Sequence, residues 1–157
     1  MMKYYLLSLC FFALALLSPG VIADGHAKAE LPNSTFKFTR IAIDEQDRSH
    51  FAEGELPFTL KEFAPPSGPI GVSPVSDAKT ILFTTADKTW ITDWHPTPRR
   101  QFVIMLAGAI TVEVESGEKR TFEKGDIFLL EDIRGRGHDS RVVSDEPAMF
   151  TMVALPD

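Results

Sequence analysis

The sequence predicts a single all-β domain, and three observations support this expectation. In Ala109 to Glu115, the apolar side chains Ile110, Val112 and Val114 alternate with polar ones, which is typical of an antiparallel strand with one face in water. Several short segments of this kind follow one another with turn residues between them, as in a sandwich or barrel. From about residue 24 onward, no segment shows a helical period.

Five strands are predicted in the second half of the chain, each bounded by turn residues such as Gly108, Gly117 or Gly125. They are Thr80 to Thr85, Gln101 to Leu106, Ala109 to Glu115, Ile127 to Leu130 and Met149 to Leu155.

The first half of the domain is predicted to open with a strand at Thr35. Phe36 and Phe38 alternate with polar residues, and the alternation shifts by one position at Arg40, which predicts a β-bulge. The stretch from Ala64 to Pro74 is dense in Pro and Gly. We expect it to form a long surface arm or lid, because such a stretch suits neither a helix nor a central strand.

The N-terminus predicts an export signal. Lys3 precedes an apolar run from Tyr4 to Leu17, and a Ser-Pro-Gly sequence ends this run shortly before Ala23. The run is shorter than the ~20 residues that span a bilayer as a helix. We therefore expect cleavage after Ala23, a secreted or periplasmic protein and no stable membrane anchor; a retained anchor is the alternative.

The predicted organisation has three parts: a signal peptide at 1–23, a flexible lead-in at 24–34, and a domain at 35–157. Within the domain, 35–75 is expected to form an N-terminal arm with strands, and 80–155 the core that bears the motifs. Cys10 is the only cysteine, so the cleaved chain would depend on packing rather than disulfides. The net charge of −6, without a basic stripe, argues against nucleic-acid binding. Asn33 begins a glycosylation sequon, which matters only in a eukaryotic exported protein.

The stretch DWHPTPRRQFVIMLAG, Asp93 to Gly108, resembles the first sequence motif of the cupins, in which two His and a Glu precede a Gly. His95 matches the first His and Gly108 matches the Gly at the required spacing. Thr97 occupies the position of the second His, and Gln101 that of the Glu.

The stretch GDIFLLEDIRGRGH, Gly125 to His138, resembles the second cupin motif. Its loop is two residues longer than the motif, with Glu131 in place of Pro and Val142 in place of the final Asn. The resemblance covers about residues 80 to 155. It implies a cupin-type β-barrel (a double-stranded β-helix or jelly roll) with an N-terminal arm, a small-molecule pocket and a possible homodimer.

Residues two apart on a strand point to the same side, which would place one row of side chains toward a pocket unless a bulge intervenes. This row is His95, Thr97, Arg99, Gln101, Val103 and Met105. The resemblance implies that His138 meets this row and that His95, Gln101 and His138 are the metal ligands. Two imidazoles suit Fe, Mn, Ni, Cu or Zn, and Asp93, Asp132 or Asp139 could lend a carboxylate. The alternative is a pocket without a metal.

Arg99, Thr97 and Met105 are the candidate substrate-binding residues. A guanidinium such as that of Arg99 can hold a substrate carboxylate with two parallel hydrogen bonds, which would suit a small acidic substrate. The alternative is that Arg99 and Arg100 both pair with surface acids.

Two functions follow from this pattern. The first is an enzyme, leaning to a metal-dependent one, in which either a pocket metal acts on the substrate or His95 and His138 are the catalytic acid and base, since His transfers protons near neutral pH. The cupin resemblance implies a reaction of the oxygenase, isomerase, cyclase or lyase type. The second is a metal-free small-ligand binding or sensory module, which the Thr97 and Gln101 departures favour.

Overall fold

A computed structural model of the chain describes residues 35–156, which form strands connected by turns and loops. The expected signal peptide, lead-in and glycosylation sequon at Asn33 lie wholly or largely outside these residues. The strands are β1 Thr35–Ile43, β2 Ser49–Pro57, β3 Thr59–Lys61, β4 Ile70–Val72, β5 Thr80–Ala86, β6 Gln101–Ala107, β7 Ala109–Val114, β8 Lys119–Glu123, β9 Ile127–Leu130, β10 His138–Val142 and β11 Ala148–Ala154. Residues 35–156 include no helical segment with the length and hydropathy of a membrane span.

The strands form two principal sheets. One has six strands in the order β2-β1-β9-β6-β11-β5, and the other has three in the order β10-β7-β8. Nearly all strand pairs are antiparallel, with β1 and β9 as the parallel exception among the described pairs. The all-β prediction is confirmed. The fold is an open jelly roll, since the six-stranded and three-stranded sheets do not join into a closed barrel.

The bulge predicted at Arg40 is wrong. β1 pairs with β2 in one unbroken register from Thr35 opposite Pro57 to Ile43 opposite Ser49. The change in the hydrophobic pattern arises because both faces of β1 are partly apolar. Ile41 is buried in the core, whereas Phe38 packs edge-on against Phe102, a residue of β6 outside the core cluster.

The core lies between the six-stranded and three-stranded sheets, and both contribute apolar side chains to it. Phe122 of β8 and Phe128 of β9 stack across the core with their ring centroids 4.2 Å apart. The core cluster comprises Ile41, Phe51, Val103, Met105, Ile110, Val112, Val114, Phe122, Phe128, Leu130, Val142, Ala148 and Phe150.

Replacing Phe128 with Ala is expected to lower the free energy of unfolding by about 3–5 kcal/mol, because the ring is 2% exposed and its removal leaves a cavity. Urea denaturation measures the loss. The control is Phe63→Ala, since Phe63 is 66% exposed and its removal should change stability by less than about 0.5 kcal/mol. Equal losses in the two variants would contradict the described packing.

Residues 35–75, expected to form an N-terminal arm with strands, contain the first four strands. β1 and β2 belong to the six-stranded sheet, because β1 pairs with β9. Only β3 and β4 form a separate two-stranded sheet, and the segment from Thr59 to Lys79 is mostly exposed, as expected for the Pro- and Gly-rich stretch.

Candidate functional site

The segment that carries His95 runs alongside β10 and its preceding loop. The backbone N–H groups of His95 and Thr97 donate to the carbonyls of His138 and Asp132, at 3.1 Å in each case. The alternate positions are Pro96 and Pro98, which have no N–H to donate. The prolines therefore occupy the positions that need no hydrogen-bond partner, and the His-Pro-Thr-Pro sequence can lie at an edge.

His95 and His138 are brought together by this pairing. Each backbone N–H donates to the other residue's carbonyl, at 3.1 and 3.0 Å. The two ring centroids lie 4.9 Å apart with an interplanar angle of 47°. His138 is 4% exposed and is the first residue of β10, although the sequence suggested a loop, whereas His95 is exposed. The site therefore has one imidazole in the interior and one at its open side.

Both rings are oriented through their Nδ1 atoms. His95 Nδ1 lies 2.8 Å from the carbonyl oxygen of Asp93, and His138 Nδ1 lies 2.6 Å from Oδ2 of Asp132. A carbonyl or carboxylate oxygen only accepts, so each Nδ1 is the donor. In the neutral ring, Nε2 is then left with a free lone pair, which is the form that accepts a proton or binds a metal.

Asp132 is the second ionisable residue of the buried site. It is 0% exposed, and its other carboxylate oxygen, Oδ1, has no hydrogen-bond partner within residues 35–156. Sequence reasoning named this residue only as one of three possible carboxylates. Its spacing of six residues from His138 carried no signal, because the contact depends on how the intervening loop turns.

Gly137 makes the close approach of this loop possible. Its φ is +78°, and a Cβ at this position would lie 1.9 Å from the carbonyl oxygen of His95. Only glycine accommodates both the conformation and the contact. The Gly residue immediately before His138 therefore sets how closely the two imidazole-bearing segments pair.

Gln101 and Thr97 form a hydrogen-bonded pair beside the imidazoles. Gln101 Nε2 donates to Thr97 Oγ1 at 3.1 Å, and Thr97 Oγ1 donates to the carbonyl of Arg99 at 2.9 Å. Gln101 is 8% exposed and Thr97 2% exposed. Across the described chain, the carboxamide oxygen of Gln101 accepts no hydrogen bond, so it remains available to a ligand.

These side chains line a cavity of about 270 Å³ between the sheets. Its wall is mostly apolar, and its lining contains no Lys, Arg, Asp or Glu. The lining residues are Thr84, Thr85, Ala86, Trp90, His95, Thr97, Pro98, Gln101, Val103, Ile110, Phe128, Leu130, His138, Ser140, Phe150 and Met152. An apolar cavity with a few convergent polar groups is typical of a small-molecule site.

A turn after β5 supports the Trp90 wall of this cavity. Asp87 accepts hydrogen bonds from the Thr89 hydroxyl and backbone N–H at 2.5 and 2.8 Å, and its carbonyl accepts from the Trp90 N–H. The bond from the Thr89 side chain, followed by that from the Thr89 backbone, lowers the pKa of the Asp87 carboxyl.

Two of the expected substrate-binding residues lie outside the cavity lining. Arg99 is exposed and borders a separate depression, because the two-residue alternation does not persist through the proline segment. Met105 is 1% exposed and packs in the core cluster, beyond the cavity. Arg100 forms an ion pair with Glu131, which also pairs with Arg40. For Arg100, this agrees with the alternative that it pairs with a surface acid.

Arg136, in the loop before His138, contacts the segment that carries His95. The Arg136 guanidinium lies over the Trp94 ring, 4.1 Å from its centroid. Such a contact uses the electron-rich face of the indole and fixes the loop that precedes His138 against the His95 segment.

The donor set fits a divalent transition metal. Among residues 35–156, no group of three or more His, Cys, Asp or Glu is placed to hold an ion. The available donors are Nε2 of His95, Nε2 of His138 and the free carboxamide oxygen of Gln101. Imidazoles suit such metals, and Asp132 places a negative charge directly behind one of them, in the carboxylate–histidine arrangement that orients metal ligands.

The family comparison identifies a cupin domain over residues 82–154. No curated protein sequence matches the chain. Similar solved structures are the Schizosaccharomyces pombe Cnp3 cupin domain (14% identity, 79% of this chain and 86% of that chain, TM-score 0.39) and an ethanolamine utilization protein Q of Salmonella typhimurium LT2 (16%, 79% and 98%, 0.38). A Neisseria meningitidis protein is also similar (13% identity, 48% of this chain and 72% of that chain, TM-score 0.37). Residues 82–154 are therefore assigned to the cupin superfamily as a domain of this chain.

Proposed function

We propose that the chain binds a divalent transition metal through His95, His138 and Gln101 and acts as an enzyme on a small molecule in the cavity. The observation that carries this proposal is the imidazole pair, whose ring centroids are 4.9 Å apart and whose Nδ1 atoms are both engaged. This arrangement leaves two Nε2 lone pairs beside one apolar cavity. The proposed setting is an exported protein, which rests on the sequence pattern of residues 1–23 alone.

The residues of the site have different tasks in this proposal. Asp132 holds the Nδ1–H of His138, and so keeps the proton off Nε2 of that ring. Thr97 accepts a hydrogen bond from Nε2 of Gln101. This bond fixes the orientation of the carboxamide and leaves its oxygen available to the metal. A metal held with open positions supplies Lewis-acid chemistry, or activates a bound water, for an oxygenase, isomerase, cyclase or lyase type of reaction.

His95 is suited to proton transfer at the open side of the site. Its Nδ1 donates to the Asp93 carbonyl, so its Nε2 can accept a proton whenever it is not bound to the metal, and its exposed ring can exchange that proton with solvent. His138, in contrast, is buried. The pair thus provides one solvent-linked and one water-shielded imidazole.

The substrate is small and largely apolar. The cavity volume of about 270 Å³ is just below the roughly 300–1,000 Å³ of typical ligand sites. The absence of Lys and Arg from its lining argues against the acidic substrate expected from Arg99. A polar group on the substrate would be directed to the imidazoles, Gln101 or Ser140.

Metal binding to the full chain, purified without chelator, tests the proposal. We expect about one ion per chain, with affinity falling at least about 100-fold in His95→Ala and His138→Ala, since loss of even an outer partner of a ligand typically costs 10–100-fold. Elemental analysis and calorimetric titration with Fe, Mn, Ni, Cu and Zn measure this. His50→Ala is the matched control, because His50 lies in β2 and outside the cavity lining, and it should bind as the wild type does.

The second candidate is a metal-free binding or sensory cupin. The hydrogen bonds from Gln101 to Thr97 and from Thr97 to the Arg99 carbonyl favour it, because they engage the Gln101 amide group and the Thr97 hydroxyl without a ligand. Failure of the wild-type chain to bind any of the five metals would overturn the enzyme proposal and leave this alternative.

A further inference from the structure

The depression beside Arg99 adjoins the cavity. It has a volume of about 270 Å³, and three residues line both spaces: Pro98, Gln101 and Met152. A ligand longer than the cavity would therefore extend into the depression. The other residues that line the depression are Thr80, Leu82, Arg99 and Ala154.

One strip of the six-stranded sheet forms the floor of both spaces. β5 and β11 pair antiparallel, and alternate residues of each strand point to the inner face of the sheet. Four positions of strand separate the first cross-strand pair of this floor from the last, so the floor is roughly 13 Å long at about 3.3 Å per residue. The pairs are Thr84 with Phe150 in the cavity, Leu82 with Met152 in the middle, and Thr80 with Ala154 in the depression.

The middle of this floor is apolar and only partly covered. Leu82 is 54% exposed, although it lies on the inner face of the sheet. Met152 is half-buried and packs against the core cluster. Aliphatic surface that is exposed within a concave site favours an apolar ligand, because binding removes this surface from water.

Arg99 is an unpaired cation beside this floor. Every other arginine of residues 35–156 contacts a carboxylate or an aromatic ring; Arg100, for example, pairs with Glu131. Arg99 makes neither contact within that range, and the lining of the depression contains no Asp or Glu. Its guanidinium is therefore available to an anion such as a carboxylate.

We propose that the cavity and the depression together bind an elongated aliphatic monocarboxylate, with its carboxylate at Arg99 and its hydrocarbon chain over Leu82 and Met152. The opposite end of the ligand then lies in the cavity, beside the imidazoles. This inference rests on the proposed function in one respect, that the cavity is the substrate site, and it does not require the metal. The lack of Lys and Arg in the cavity argues against a small acid that lies wholly inside it, whereas a longer acid keeps its charge outside.

Binding of decanoate and of decan-1-ol to the full chain tests the carboxylate site, because the two probes share one hydrocarbon chain and differ in charge. Titrations are followed by tryptophan fluorescence, since Trp90 lines the cavity, and contain a chelator so that the carboxylate cannot bind a metal instead. We expect decanoate to bind the wild type about 5–10-fold more tightly than the alcohol, a modest factor because water screens an exposed guanidinium. Arg99→Gln should remove this difference and leave binding of the alcohol unchanged.

Arg48→Gln is the control for Arg99→Gln. Arg48 is also exposed, but it pairs with Asp44 and lies outside both linings. This variant should keep the wild-type preference for decanoate. Equal affinity of the wild type for the two probes, or the same loss of preference in both variants, would overturn the carboxylate site.

A charge placed on β5 tests the path of the hydrocarbon chain. Leu82→Glu sets a carboxylate on the floor of the depression and should weaken decanoate binding by at least about 10-fold, through like-charge repulsion and loss of apolar contact. Ile81→Glu is the matched control, because Ile81 is the preceding residue of the same strand, is 62% exposed and points to the opposite face. It should bind decanoate as the wild type does, and equal weakening in the two variants would contradict the proposed path.

Metal titration separates this inference from the proposed enzyme. Decanoate binding by a chain that binds no metal would overturn the enzyme and support the carboxylate ligand. One bound metal ion per chain without decanoate binding would overturn the carboxylate ligand and support the metal site.

Discussion

Replacing Asp132 with Ala is expected to destabilise the fold by about 3–5 kcal/mol, because it removes the only acceptor for His138 Nδ1 within the described residues and leaves a buried polar group unpaired. The same change should weaken metal binding by about 10–100-fold, since the carboxylate orients His138. Urea denaturation and calorimetric metal titration measure the two effects.

Two variants separate these effects of Asp132. Asp132→Asn keeps an acceptor for Nδ1–H but removes the charge, so it should retain most of the stability and still lose metal affinity. Asp139→Asn is the matched control: Asp139 is also buried, but it pairs with Arg141 instead of an imidazole. Metal affinity unchanged in Asp132→Asn, or reduced equally in Asp139→Asn, would contradict the role given to Asp132.

Replacing Gly137 with Ala should be at least as damaging. The added Cβ would lie 1.9 Å from the His95 carbonyl oxygen, 2.2 Å from its carbon and 2.3 Å from the Pro96 nitrogen. All three are backbone atoms, so no side chain can move aside. We expect a loss of more than about 3 kcal/mol in unfolding free energy and weaker metal binding, because the His95–His138 pairing must open.

Gly117→Ala provides the comparison for Gly137→Ala. Gly117 also has a positive φ, +86°, but a Cβ there meets nothing within 4 Å. Its substitution should therefore cost only the conformational strain, about 1–2 kcal/mol, and leave metal binding unchanged. Urea denaturation of both variants isolates the steric part, and equal losses would show that the close approach at Gly137 is unimportant.

The fold was largely predictable because its strands carry local signals. Alternation in β7 and the apolar run of β9 gave bounds within one residue of the structure. β1 misled because its two faces both carry apolar groups, one toward the core and one toward Phe102. When both faces of a strand carry apolar residues, apolar and polar positions do not alternate regularly along the sequence, and the irregularity resembles that of a β-bulge.

The site was predictable only in part. His95 and His138 stood out because they hold positions in a recognisable motif. Arg99 and Met105 were assigned to the cavity by counting alternate positions from His95. For Arg99 the count is wrong because this residue lies in the Pro-containing segment before β6, where strand alternation does not hold. For Met105 it is wrong because β6 continues past the cavity into the core. The contact between Asp132 and His138 depends on loop geometry, which periodicity does not report.

The reciprocal main-chain hydrogen bonds between His95 and His138 determine how the site responds to heat or denaturant. The spacing of the imidazoles is held by the polypeptide itself, so a ligand meets an arrangement that already exists and need not assemble one. Conversely, the two backbone segments can separate only if both of these hydrogen bonds break. The site should therefore lose its affinity for a ligand in one cooperative step, by local unfolding of this stretch, and not gradually.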